Sequence, residues 1–196
     1  MSVTSLQQRR PRRAPSLRRG RRRRRRGRRL RVAALVALVL FVGVSTRAFA
    51  LPPQAPPRRA GAILSLDGNA EASRARTAVG LAERGFAPVL LFSQGNFRTT
   101  PCPRAPGVRL VCFWPHPART IGEIAFGVAW ARRHGIRRLL VVAGWAQTTR
   151  ARLLVHRCFP GAATVVSAPM PAWQLPYEVV YEWGATLRAL LGDRGC

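Results

Sequence analysis

The residues able to do chemistry are few, and they fall at the ends of short apolar runs. Asp67-Gly68-Asn69 follow one such run and Ser93-Gln94-Gly95-Asn96 a second. His116, Arg119, Thr120 and Glu123 come after a third, and Gln147 with Arg150 after a fourth. Arg74 and Arg150 lie in or near the first turns of the helices expected there. A cation at a helix N-terminus is disfavoured by up to about 1 kcal/mol, because that end already carries partial positive charge. The placement is rational if an anion binds between the two guanidinium groups and takes free backbone N–H groups as further donors. The rival reading is an arginine facing solvent, or one paired with Asp67 or Glu123.

Other chemistries are constrained by what surrounds these residues. Thr120-x-x-Glu123 has the spacing of a capping box, in which threonine and glutamate cover two backbone N–H groups. The sharper reading makes Glu123, or Asp67, a general base. Ser93 lacks the flanking glycines of a nucleophile elbow, and neither a dinucleotide-binding glycine motif nor a phosphate-binding P-loop occurs. The four cysteines, Cys102, Cys112, Cys158 and Cys196, form no C-x-x-C pair, and only three histidines are present, so metal-ligand spacing is missing and no cofactor is evident. Four cysteines allow three connectivities; Cys102 with Cys112 and Cys158 with Cys196 is the preferred one, against free buried thiols. Trp114, Trp145 and Trp173 would either line a pocket or belong to the core.

The elements that must position these residues read clearly. Apolar strands are expected at 62–66, 88–93, 108–113, 138–143 and 163–167. Helices are expected near 71–84, 120–134, 146–158 and 174–191. The last is expected to bury Val179, Val180, Trp183, Leu187 and Leu190. Apolar strands alternating with helices imply an α/β domain, a mainly parallel five-stranded sheet covered on both faces in a three-layer Rossmann-like sandwich. With strand order 3-2-1-4-5, a ligand would bind beyond the C-terminal strand ends, at the switch point between the first and fourth strands.

The chain before this domain has a different character. Of its 34 basic residues, all arginine, 15 fall within residues 1–31, where there is no acid. Residues 51–196 hold 18 arginines against all seven acids, so the formal charge of +27 comes largely from the tail. Residues 1–31 are expected to be disordered. Residues 32–50 are apolar and form either a signal peptide, cut after Ala48-x-Ala50, or an uncleaved anchor, the reading preferred here. The positive flank stays on the cytoplasmic side and the domain crosses. The arginine tail would contact anionic lipid, and the apolar run that follows it argues against a soluble nucleic-acid binder. Proline-rich residues 51–60 would serve as an extended spacer. The folded domain is expected over residues 61–196, long enough for one hydrophobic core.

From Gly61 to Ala168 the chain resembles the YdcF/SanA/ElyC-like envelope family, a domain of unknown function. The resemblance rests on an ordered series: Leu66-Asp67-Gly68; then Arg74, Ala78, Leu81 and Gly85; then Ser93-Gln94-Gly95; then Thr120, Glu123 and Ala125; and last Arg150-Ala151. Three positions depart from the family pattern: Asp67 where Gly is frequent, Ile124 where Asn is frequent, and Gln147 where many members have His. Glutamine hydrogen-bonds but cannot titrate, which removes the most obvious proton-transfer group. The resemblance implies a Rossmann-like domain behind one membrane segment, with a role in cell-envelope maintenance.

These readings converge on an envelope-associated domain that binds an anionic ligand, phosphate-bearing and either lipid-linked or nucleotide-like. Arg74 and Arg150 would hold its charge, Gly68, Asn69 and Gly95 would offer N–H donors, and Asn96, Thr120 and Gln147 would orient it. The alternative is a transferase or hydrolase acting on a phosphorylated envelope precursor at the same place.

Overall fold

A computed structural model of the chain describes residues 17–68, 71–95, 101–193 and 196. By its internal contacts the chain divides into two units, Met1–Val42 and Gly43–Cys196. The first described helix, α1, spans Leu17–Ser45. Residues 1–16 of the tail expected to be disordered lie outside the described residues, and from Leu17 the arginine run is continuous in one helix with the apolar segment. Arginine is a good helix former, and no proline or acid interrupts the continuation into the apolar segment. The 24 residues from Gly27 to Ala50 are long and apolar enough to cross a membrane, the most apolar 18-residue stretch having mean hydropathy 2.2. Its large side chains, such as Leu35, Leu40 and Phe41, are more than half exposed.

The second unit is built on five strands: β1 (Ala62–Ser65), β2 (Val89–Ser93), β3 (Arg109–Phe113), β4 (Arg138–Gly144) and β5 (Ala162–Ala168). All neighbours are parallel and the order is β3-β2-β1-β4-β5. β1 is central, with Ile63 opposite Leu90 on one side and Leu140 on the other. This is the expected α/β sandwich, with every strand inside one or two residues of its predicted range.

Alternation along each strand feeds two cores. Ile63, Leu90, Leu140 and Val142 point to the face covered by α2 (Glu71–Glu83), where Ala78, Leu81 and Ala82 meet them. Leu64, Leu91, Leu139 and Val141 point to the other face. There they meet Ile124 and Val128 of α3 (Thr120–Arg133), Leu154 and Val155 of α4 (Thr148–Cys158), and Ala189 of α5 (Leu175–Leu191). The β2–β3 connection includes residues 96–100, outside the described ones, and is tied to β3 by a Cys102–Cys112 disulfide. Cys158 at the end of α4 is joined to Cys196. Both pairings are the preferred ones.

Two expectations about local packing are corrected. α5 does not bury Val180, Leu187 or Leu190, which are 74%, 49% and 49% exposed. Its buried positions are Glu178, Glu182 and Ala189, because an arginine on the neighbouring helix α4 requires a carboxylate there. Residues 51–60 are not wholly a free spacer either. Pro52 is buried, and Arg152 of α4 bonds the Pro53 carbonyl.

A one-turn π-helix, Thr46–Ala50, follows α1 and is seated on α4 and α5. Phe49 is 2% exposed and meets the Trp183 ring edge-on at 5.4 Å. Trp183 Nε1 donates to Ser45 Oγ at 2.9 Å and Trp145 Nε1 to the Ala50 carbonyl at 2.8 Å. The Thr149 hydroxyl bonds the Ala48 carbonyl.

Candidate functional site

The loops after all five strands surround one cleft of about 640 Å³ at the C-terminal edge of the sheet. It lies where β1 and β4 diverge to their respective partners, the place the strand order specifies for ligands. Asp67 and Gly68 reach it from β1, Gly95 from β2, Arg119 from the β3 connection and Gly144 from β4. Arg74 of α2, Thr120 and Glu123 of α3, and Gln147 and Arg150 at the start of α4 complete the inner wall. Tyr177, Glu178, Tyr181, Glu182 and Arg188 of α5 form the outer one.

Arg74 and Arg150 therefore share the cleft rather than facing opposite sides of the sheet. Arg74 is 2% exposed, donates through Nη2 to the Gly68 carbonyl and stands 4.0 Å from Asp67 Oδ1. Gly68 has φ +136°, and a β-carbon there would lie 3.0 Å from the Arg74 guanidinium. Gly95, at φ +56°, packs directly against the Asp67 carboxylate, in space that any side chain would occupy. The two glycines thus set the acid and the arginine side by side.

Arg150 is committed differently from expectation. Its partner is neither Asp67 nor Glu123 but Glu182, gripped by Nε at 2.8 Å and Nη2 at 2.7 Å. Its remaining nitrogen, Nη1, donates to Thr120 Oγ1 at 2.6 Å. Burial opposes the charge on Arg150, but the bidentate carboxylate outweighs it and holds the guanidinium above its ordinary pKa. Gln147 ties the same hydroxyl to the neighbouring loops. Its Nε2 donates to Thr120 Oγ1 at 3.0 Å and to the Asp67 carbonyl at 3.3 Å, and its Oε1 accepts from Gly144 N at 3.1 Å.

Thr120 and Glu123 do not form a capping box. Arg119 is the N-cap of α3 and has no side-chain cap bond. The Thr120 hydroxyl serves Gln147 and Arg150 instead, and Glu123 reaches across to β1, where Oε1 accepts the Asp67 N–H at 2.5 Å. Burial of Glu123 raises its pKa to about 7, against the opposing effect of hydrogen bonds from Ser93 and the Asp67 backbone. The cleft thus contains a buried carboxyl that exchanges its proton near neutrality.

No family model, curated protein or solved structure matches this chain.

Of the sequence-predicted residues, Asp67, Gly68, Arg74, Gly95, Thr120, Glu123, Gln147 and Arg150 all line the cleft. Ser93 is buried behind it, bonded to Glu123. Gln94 is not in the lining; its N–H is bonded to the Phe113 carbonyl. Asn69 and Asn96 lie outside the described residues. Sequence reasoning missed Glu178 and Glu182. Their signal was the i, i+4 spacing of two acids in a domain poor in acids, which puts both on one helix face. Five of the seven acids in the whole chain line this single cleft: Asp67, Glu123, Glu178, Glu182 and Asp193. Asp193 meets Arg119 at 3.2 Å.

Proposed function

We propose that the cleft binds an anionic, phosphate-bearing small molecule, lipid-linked or nucleotide-like, and that the domain does so while anchored to a membrane on its extracytoplasmic side. One observation carries the reading: Arg74 and the first turns of α3 and α4 converge on the same cleft, at the positive ends of the helix dipoles. Of the lining carboxylates, Glu182 and Asp193 are paired with Arg150 and Arg119, Asp67 stands 4.0 Å from Arg74, and Glu123 is close to half-protonated at neutral pH. Arg74 would meet the ligand's charge, with Arg188 at the outer wall. Arg150 acts through Thr120, which it orients.

Two disulfides support an oxidising compartment, and the apolar helix supports a membrane location. The resemblance to the YdcF/SanA/ElyC-like family points the same way, toward envelope maintenance. The test is calorimetric titration of the detergent-solubilised full chain with ADP and with a short-chain prenyl phosphate. Arg188→Ala, at an exposed position, and Arg74→Gln are each expected to weaken binding at least tenfold. Absence of binding by both probes, or binding indifferent to both substitutions, would refute the proposal.

The buried Glu123 favours a second reading, a hydrolase or transferase on the same ligand class with Glu123 moving the proton. Under that reading Glu123→Gln keeps ligand affinity and loses turnover. Under binding alone it changes neither ligand affinity nor cellular function.

A further inference from the structure

α5 carries an outward apolar surface that the core does not use and that reaches the cleft lining at Val180. At 100° per residue, its positions sort into three sides. Glu178, Glu182 and Ala189 face inward and are buried. Trp183 lies on one flank, holding Phe49 and Ser45 at the end of the apolar helix. Tyr177, Tyr181 and Arg188 lie on the opposite flank, at the cleft. The outward side between the flanks bears Val180, Leu187 and Leu191, which are 74%, 49% and 70% exposed. Trp173, 78% exposed, lies just before the helix.

This outward side has no acid. Both glutamates of the helix are turned inward, and the helix's remaining charge is Arg188. A solvated helix usually carries its charges outward and its apolar residues inward; α5 has apolar residues outward and acids inward. An apolar strip with tyrosine, tryptophan and arginine at its margins suits the boundary between headgroups and acyl chains. The strip also starts one side chain away from the residues where the membrane-spanning segment ends.

We propose that the outward face of α5 lies on the bilayer surface next to the anchor, so that the helix is a second, interfacial membrane contact and the cleft mouth opens at the headgroups. The occupant is the lipid surface, because the face continues from the seat of the anchor's last residues. The inference rests on the anchored reading above and is independent of the identity of the ligand.

The test places one new cysteine at a time, Val180→Cys, Leu187→Cys, Leu191→Cys or Arg133→Cys, in the full chain reconstituted in vesicles. Every native cysteine is disulfide-bonded, so a bimane label goes to the new thiol alone. Arg133, exposed at the far end of α3, is the reference. With lipids brominated near the glycerol end of the acyl chain, quenching at the three α5 positions is expected to be at least threefold that at 133. Equal quenching at all four positions in an anchored chain overturns the proposal. So does weak lipid quenching accompanied by energy transfer between labels on two copies, which assigns the face to self-association. An intact mass showing a chain that starts at Leu51 and stays off the vesicles overturns the anchored reading along with it.

Discussion

Arg150 and Glu182 form a two-bonded pair between α4 and α5, buried to 8% and 1% exposure. The pair fixes the outer wall of the cleft to the inner one. Removing one partner leaves a buried charge without compensation, and such losses cost about 3–5 kcal/mol. Arg150→Met and Glu182→Leu are each expected to lower the denaturation midpoint strongly. The double substitution is expected to recover most of the loss. Urea unfolding of the four chains closes the cycle; additive losses would show that the pair is not coupled.

Glu123 makes stability depend on pH in a defined direction. Its folded pKa of about 7 stands above the ordinary 4.5, so the folded state binds the proton more tightly than the unfolded one. The resulting stability is fully present below pH 4.5 and is lost as pH rises to about 7. The loss is on the order of 3 kcal/mol at full shift. Glu123→Gln holds the neutral form at every pH. The difference in unfolding free energy between the variant and the parent should therefore grow from pH 4.5 to 7 and then level off. A difference constant with pH would mean that folding does not raise the pKa of Glu123.

The sheet was readable in the sequence because buried parallel strands appear as short, continuous apolar runs, and Ala62–Leu66 and Arg138–Ala143 are nearly pure examples. The cleft's inner wall followed from strand order, since the residues after β1, β2, β3 and β4 must meet at one edge. The outer wall was hidden. Apolar spacing in α5 suggested that Val180, Leu187 and Leu190 go inside, yet periodicity gives the stripe without saying which side of the helix it is on. The buried Arg150 decided that by drawing Glu182 inward. The Thr120–Glu123 spacing misled for a related reason: both side chains had better partners in distant loops than in their own first turn.

Gly95 is required by two independent constraints, its φ of +56° and its contact with the Asp67 carboxylate. The conformation alone costs a side chain about 1–3 kcal/mol, and the contact adds to it. Gly95→Ala is expected to lower the melting temperature and to displace Asp67 from Arg74. Adding Asp67→Gly should restore the part due to the contact and leave the part due to φ. Thermal unfolding of the three variants separates the two contributions; no recovery in the double variant would place the whole cost in the backbone.

The Cys158–Cys196 disulfide ties the end of the chain to α4 across 38 residues, and Cys102–Cys112 closes only 10. Loop-closure entropy assigns about 4 kcal/mol to the longer loop and about 3 kcal/mol to the shorter. Cys158→Ala/Cys196→Ala is expected to destabilise the domain more than Cys102→Ala/Cys112→Ala, read as midpoints under non-reducing conditions.

Phe49 decides whether cleavage after Ala50 is compatible with this domain. Its ring is buried against Trp183, and the domain spends the N–H groups of Trp145 and Trp183 and the hydroxyl of Thr149 on the segment Ser45–Ala50. Emptying a buried phenylalanine site costs about 3–5 kcal/mol. Phe49→Ala in the full chain is expected to unfold at lower denaturant and to shift Trp183 emission to the red. A chain starting at Leu51 should show the same shift and a larger loss, because its donors lose their acceptors as well. Equal stability of chains starting at Gly43 and at Leu51 would mean that the segment contributes nothing to the fold, and would leave the cleaved signal as the better reading.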